Sequence, residues 1–246
     1  MAFSPQFLLH KSPTPEAIHG PCQSTLSPWL APLAYKIGED LVLPNFFKTI
    51  RITGQENIPT SGPVVFAPTH RSRWDSLLVG LVGHQTTGRY LRFMVTADEC
   101  FGLQGWAIRR LGGFPVDVRR PAIATLRHGV QLLRNQQTLV IFPEGDIFRE
   151  KQVQRLKPGL ARLALQAEQS TPGLGVKVLP IYFDYDHPRP SLGSSVEIRI
   201  GQPLEVTNYL ASGSGKQQAM ELTSDLKQAL ESLAHVNIEY PLELVA

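Results

Sequence analysis

Residues 63–75 read Pro63-Val64-Val65-Phe66-Ala67-Pro68-Thr69-His70-Arg71-Ser72-Arg73-Trp74-Asp75. The unbroken apolar run from Val64 to Ala67 suits a central strand covered on both faces. It passes directly into the densest polar cluster of the chain, and Asp75 then opens an apolar helical pattern over 75–84. In open α/β sheets, ligand and catalytic groups collect at such strand ends, near helix N-termini. A turn between His70 and Asp75 can return the carboxylate to one imidazole nitrogen. That would fix the tautomer and raise the basicity of the other nitrogen, which could then take a proton from a hydroxyl. The ordinary alternative is that Asp75 caps its helix and His70 sits on a surface turn.

Outward from this stretch, strand and helix patterns alternate. Strand-like runs cover 48–53, 63–68, 91–96, 114–118, 138–142, 176–185 and 195–200. Helix-like runs cover 75–84, 101–111, 122–135, 159–167 and 216–233. Such alternation predicts an α/β fold: a single domain with a mixed, mostly parallel sheet of about seven strands flanked by helices. Upstream, Trp29, Leu30, Leu33, Ala34, Ile37, Leu41 and Val42 recur at helical spacing. They predict an N-terminal amphipathic helix, either packed on the core or lying in a membrane interface. The expected organisation is a disordered, proline-rich leader over 1–28, an amphipathic segment over 29–47, a catalytic core over 48–205 and a C-terminal helix over 214–235, all of 29–246 forming one domain.

A second cluster reinforces the first. Leu139-Val140-Ile141-Phe142, another buried-strand run, leads straight into Pro143-Glu144-Gly145-Asp146. A carboxylate between Pro and Gly at a strand end is a rigidly placed acceptor in a tight turn. Gly113-Phe114-Pro115-Val116-Asp117 forms a third strand element, with Arg119 and Arg120 at its exit.

Composition limits the function classes. The 246 residues carry 24 Lys+Arg against 21 Asp+Glu, a net of +3, too weak an excess for a typical nucleic-acid binder. That charge is uneven: residues 205–246 carry a net −4 and residues 1–204 a net +7. A basic body suits an anionic substrate or an anionic membrane surface. Two cysteines cannot make a disulfide scaffold or a Cys-rich zinc site, and no metal or cofactor is expected. The chain has no apolar run of the ~18 residues that a spanning helix needs.

The ordered blocks resemble those of the phospholipid/glycerol acyltransferases, a family typified by 1-acylglycerol-3-phosphate acyltransferase. His70-Arg71-Ser72-Arg73-Trp74-Asp75 resembles its H-x4-D block, and Gly113-Phe114-Pro115-Val116-Asp117 its second. Phe142-Pro143-Glu144-Gly145 resembles the third block, Val178-Leu179-Pro180-Ile181 the fourth, and Leu156-Lys157-Pro158-Gly159 a Lys-x-Gly element. The resemblance implies transfer of a fatty acyl group from acyl-CoA or an acyl-carrier-protein thioester to a glycerol hydroxyl, with no acyl-enzyme. His70 would be the general base and Asp75 its orienting partner.

The same resemblance implies substrate-binding roles for Ser72, Arg73, Phe142, Pro143, Glu144, Gly145 and Lys157. Glu144 would bond the acceptor or hold the pocket loop, and arginines near the second and third blocks would bind the acceptor phosphate. Where the family often reads Thr-Arg-Ser after this third block, the chain has Asp146-Ile147-Phe148-Arg149. Arg149 is therefore the expected phosphate ligand, and Arg119 the next. Thr69 stands where the family has Asn, and Val118 separates Asp117 from Arg119. The expected partners are a lysophospholipid acceptor, an acyl thioester donor and a cytoplasmic membrane surface bound peripherally. The leading acceptor is the sn-2 hydroxyl of 1-acyl-glycerol-3-phosphate. Glycerol 3-phosphate, another lysolipid or another alcohol keeps the chemistry, and a non-catalytic lipid-binding module is a further alternative.

Overall fold

The computed structural model describes residues 24–117, 122–211 and 213–235. Eight strands form one sheet: β1 (Phe47–Thr53), β2 (Val64–Pro68), β3 (Arg92–Thr96), β4 (Gly113–Val116), β5 (Thr138–Val140), β6 (Lys177–Tyr185), β7 (Ser194–Ile200) and β8 (Leu204–Glu205). Their order is β1-β7-β6-β2-β5-β3-β4, with β8 beside the start of β6. All pairings are parallel except β6–β7 and β6–β8. The expected mixed, mostly parallel sheet is thus present.

The alternation of β2 side chains builds two cores. Val65 and Ala67 face α5 (Ile123–Arg134), α6 (Gly159–Ser170) and α7 (Gly215–Ala234), where Leu133, Leu163 and Leu226 are buried. Val64 and Phe66 face α3 (Asp75–Thr87), packing with Leu78, Val79 and Leu81. A glycine permits the close approach on this side: a Cβ on Gly83 would lie 2.7 Å from Leu91 and 2.9 Å from Phe66. Parallel pairing of β2 with β5 and β6 brings the C-terminal ends of all three strands to one edge of the sheet.

The N-terminal helix is broken. It runs as α1 (Leu30–Ile37), a π-helical turn over Gly38–Val42, and α2 (Leu43–Phe46). Pro44 has no N–H to return to the carbonyl four residues back, and Leu43 instead bonds Gly38, five back. Trp29, Leu33, Ile37 and Leu41 are exposed along one stripe. Of the expected leader, residues 1–23 lie outside the described residues. Ser24–Pro28 run beside α4 (Gly102–Arg110), where Thr25 and Ser27 donate to the carbonyls of Arg109 and Arg110 and Leu26 bridges Leu111.

Two strands end earlier than the apolar runs predict. Val118 lies outside the described residues, and β4 stops at Val116. In the run 138–142 the strand ends at Val140; the Ile141 N–H still bonds the Phe66 carbonyl at 3.0 Å, and Phe142 begins the turn at Pro143. β3 therefore pairs with β5 only through Arg92–Leu139 and Phe93–Val140, while its pairing with β4 continues to Thr96–Val116. The sheet splits beyond that point.

Candidate active site

The site begins where β2 ends. Thr69 donates its N–H to Ile181 at 2.9 Å, and its hydroxyl accepts the Phe183 N–H at 3.0 Å, tying the strand end to β6. The chain then turns through residues 70–74 into α3. Asp75, fully buried at the first position of that helix, gathers the turn around its carboxylate. Oδ2 accepts the N–H of Arg71 at 2.6 Å and of Ser72 at 2.8 Å, and lies 3.0 Å from His70 Nδ1. Oδ1 accepts the Tyr185 hydroxyl at 2.6 Å. A carboxylate that accepts all these bonds assigns the His70 proton to Nδ1. That leaves Nε2 as the nitrogen available to a hydroxyl.

The turn after β5 holds the other side of His70. The Phe142 ring stacks on the imidazole with centroids 4.0 Å apart. Glu144 is buried, and its Oε2 accepts the His70 backbone N–H at 2.8 Å and Arg71 Nη1 at 2.7 Å. Its Oε1 accepts the Gln154 N–H at 2.9 Å. Of the two roles expected for Glu144, the geometry supplies the structural one: the carboxylate clamps the two strand-end turns together. Gly145, at φ +74°, takes a left-handed conformation, and the Lys157 side chain lies against it so closely that a Cβ would sit 2.5 Å from Nζ. Lys157 itself is anchored by its N–H to the Pro143 carbonyl at 2.8 Å.

His70 opens on a cavity of about 830 Å³ that enters the split in the sheet. Its lining comes from both cores: Leu77, Leu81 and Phe93 from one, Ile141, Leu160 and Leu163 from the other. Cations stand in the same lining, namely Arg73, Lys157 and Arg162. Arg73 makes a two-pronged ion pair with Glu99, at 2.8 and 3.1 Å.

The structure brings together most of the residues expected from the sequence. His70, Arg73, Phe142, Pro143, Gly145 and Lys157 all line the cavity. Ser72 and Glu144 are buried behind it, the Ser72 hydroxyl accepting the Trp74 N–H at 3.3 Å. Arg149 is not brought to the cavity. The Phe148 N–H bonds the His70 carbonyl at 2.8 Å, so the chain crosses behind the 70–74 turn. Arg149 accordingly borders a separate shallow depression with Lys151, Asp184 and His187. Arg119 lies outside the described residues. Sequence reading missed Arg71 as the partner of Glu144, Arg162 as a cavity cation and Tyr185 as a partner of Asp75. Arg71 stood inside the His70–Asp75 block, where a cation beside a buried strand end calls for an acid nearby. Tyr185 carries no such signal, since only the pairing of β6 with β2 brings it to Asp75.

Known proteins resemble this chain in sequence and in fold. A family model described as acyltransferase matches residues 49–184, more than half of the chain. The chain belongs to the acyltransferase family. A 1-acyl-sn-glycerol-3-phosphate acyltransferase of Streptococcus pneumoniae is 24% identical over 151 residues, covering 59% of this chain and 51% of that protein. The mitochondrial glycerol-3-phosphate acyltransferase 1 of Mus musculus is 30% identical over 138 residues, covering 52% of this chain and 17% of that protein. The chain thus spans about half the length of the first of these relatives and 17% of the second. The crystal structure of a 1-acyl-sn-glycerophosphate acyltransferase from Thermotoga maritima shares the fold, with a TM-score of 0.60 at 21% identity over 84% of this chain and 80% of that one.

Proposed function

We propose that this acyltransferase-family protein moves a fatty acyl group from an acyl-CoA or acyl-carrier-protein thioester to the sn-2 hydroxyl of 1-acyl-glycerol-3-phosphate, giving phosphatidic acid. The observation that carries this reading is the His70–Asp75 pair at a large apolar cavity bordered by cations. His70 Nε2 takes the hydroxyl proton as the oxygen attacks the thioester carbonyl. The tetrahedral centre collapses, the C–S bond breaks, and the proton passes from His70 to the departing thiolate. Asp75 stabilises the transient imidazolium and fixes the ring. The cavity in the split sheet takes the acyl chain, and the cations border the part that receives the acceptor phosphate. With Arg149 behind the turn, Lys157, Arg162 and Arg73 are the candidates for that contact.

The protein works at a membrane surface as a peripheral, cytoplasm-facing enzyme. Among the described residues no helix is long and apolar enough to cross a bilayer. Trp29, Leu33, Ile37 and Leu41 line one face of the α1 segment, while α4 exposes Leu103 and Trp106, with Arg110 over the Trp106 ring at 5.6 Å. The pairing of Ser24–Ser27 with the end of α4 ties these two apolar surfaces together, and Gln104 and Ile108 on α4 line the cavity. A lipid substrate can therefore pass from the bilayer to the cavity along α4.

A second reading changes only the acceptor, to glycerol 3-phosphate. The mouse relative, which bears that acceptor in its name, supports it. Purified protein given one labelled acyl donor and each acceptor in turn separates the two. Phosphatidate from the lysolipid supports the first reading, and monoacylated glycerol phosphate supports the second.

A further inference from the structure

The Asp75 carboxylate is unusual in how its two oxygens are used. Oδ2 is held by the N–H groups of Arg71 and Ser72 at 2.6 and 2.8 Å and faces His70 Nδ1. Those bonds alone fix the orientation of the carboxylate and of the imidazole. Oδ1 points the other way, into the sheet, and meets the Tyr185 hydroxyl at 2.6 Å. Tyr185 is itself buried at the end of β6, with the Phe183 ring stacked against it and the Phe47 ring tilted toward it, each centroid 6.3 Å away. Burial first, and the Asp75 charge next, push the Tyr185 phenol far above its ordinary range, so it remains a donor at any physiological pH.

We infer that Tyr185 is a positioning residue of the reaction: its hydroxyl, bonded to Asp75 Oδ1, withdraws charge from the carboxylate and so weakens the hold of Asp75 on the imidazolium form of His70. The inference rests on His70 acting as general base. The argument is one of shared charge. A donor on one carboxylate oxygen lowers the negative charge at the other, and the imidazolium form of His70 gains less from its partner. Without that donor, Asp75 would hold the imidazolium more tightly and His70 would stay protonated to higher pH. The other charged side chains around the cavity offer no substitute. Arg71 and Glu144 pair with each other, Arg73 pairs with Glu99, Lys157 lies across Gly145, Asp146 accepts the Ile147 N–H, and Arg162 lines the cavity from α6.

The test is Tyr185→Phe on the full chain, which keeps the buried ring and removes only the hydroxyl. Tyr182→Phe is the control, since that hydroxyl on the same strand donates to the Lys151 carbonyl and not to the catalytic pair. The expected result is an acid limb of kcat/KM moved upward by about 0.5–1 pH unit in Tyr185→Phe, with the plateau rate and both KM values within about twofold. Below the limb this reads as about a three- to tenfold loss. Tyr182→Phe leaves the limb in place. The His70 ring signal, titrated by NMR, moves by the same amount and reports even if no acyl transfer is detected, so failure of the functional reading is distinguishable from failure of this one. Should Tyr185→Phe not fold, 3-fluorotyrosine at position 185, a stronger donor, moves the titration the opposite way. An unmoved His70 titration in a folded Tyr185→Phe or fluorotyrosine protein overturns the inference.

Discussion

Glu144 Oε2 accepts the backbone N–H of His70 at 2.8 Å, so the turn after β5 fixes the turn after β2. The same oxygen holds Arg71 at 2.7 Å, in an ion pair whose side chains are only 4% and 0% exposed. Two strand ends that are 74 residues apart in sequence thereby become one unit. Replacing Glu144 by Gln keeps the shape and strands the Arg71 charge. Breaking a buried pair from one side costs about 3–5 kcal/mol. Urea denaturation of Glu144→Gln is expected to show that loss together with reduced activity; unchanged stability would remove the clamp from the account.

His70→Ala removes the base without touching the clamp, because Glu144 holds the His70 backbone and not its ring. General-base groups are worth about 10²–10⁴ in rate. The expected outcome is a fall of that size in acyl transfer, with thermal stability and vesicle binding close to those of the parent protein. Activity within tenfold of the parent would reassign the base.

The cavity makes a prediction about chain length. Gly80 on α3 lines it, and a Cβ there would meet Phe93 and the Tyr35 hydroxyl at 3.4 Å, an ordinary contact. Gly80→Ala should therefore be tolerated, whereas Gly80→Leu fills space meant for the acyl chain. A pocket distinguishes methylene counts by about tenfold or more. Competition between long- and short-chain thioesters should shift toward the shorter by that order in Gly80→Leu. An unaltered ratio would place the acyl chain elsewhere.

Membrane contact is tested on the exposed stripe. Leu33 and Leu41 are 49% and 60% exposed, and replacing both by Ser removes apolar area without disturbing the core. Loss of a buried leucine contact corresponds to roughly tenfold in binding per residue. Flotation with vesicles should fall accordingly in Leu33→Ser/Leu41→Ser and also in Trp106→Ala. Binding that survives both would move the docking face off α1 and α4.

A pH prediction follows from Tyr35, whose phenol burial pushes up from 10 to about 12. The unfolded chain ionises this group near its ordinary value and the folded chain does not. Its stabilising contribution is therefore complete below pH 10 and is lost as pH rises toward 12. That amounts to about 2–3 kcal/mol at the upper end. Denaturation midpoints of the parent and of Tyr35→Phe should converge with rising pH across this window, and parallel curves would contradict the assignment.

Much of this architecture was legible because the physics behind it is local. The run Val64-Val65-Phe66-Ala67 suited a strand buried on both faces, and it is the fully covered centre of the sheet. His70 and Asp75 lie within one turn, so their spacing allowed the hydrogen bond that forms, alongside the alternative of a helix cap and a surface histidine. The run through Phe142 misled on where β5 ends, because apolar character cannot tell a strand residue from one that lines a cavity. Arg149 was expected at the acceptor site from its place along the chain, but the bond from Phe148 to His70 carries it behind the turn. Tyr185 was invisible for a topological reason: its partner is 110 residues away, and only the strand order brings them together. The π-helical turn of the N-terminal segment lies just before Pro44, whose missing N–H interrupts the helical ladder.

In the proposed function, His70 deprotonates a lipid hydroxyl whose phosphate is held by cations of the cavity. That reading is tested most directly by one acceptor panel. Parent protein and His70→Ala are each given labelled acyl-CoA or acyl-carrier protein with 1-acyl-glycerol-3-phosphate, glycerol 3-phosphate or phosphate-free monoacylglycerol. The account predicts phosphatidate from the parent protein and the lysolipid, little product from the phosphate-free acceptor, and almost none from His70→Ala. Equal rates with and without the acceptor phosphate, or undiminished transfer by His70→Ala, would contradict it.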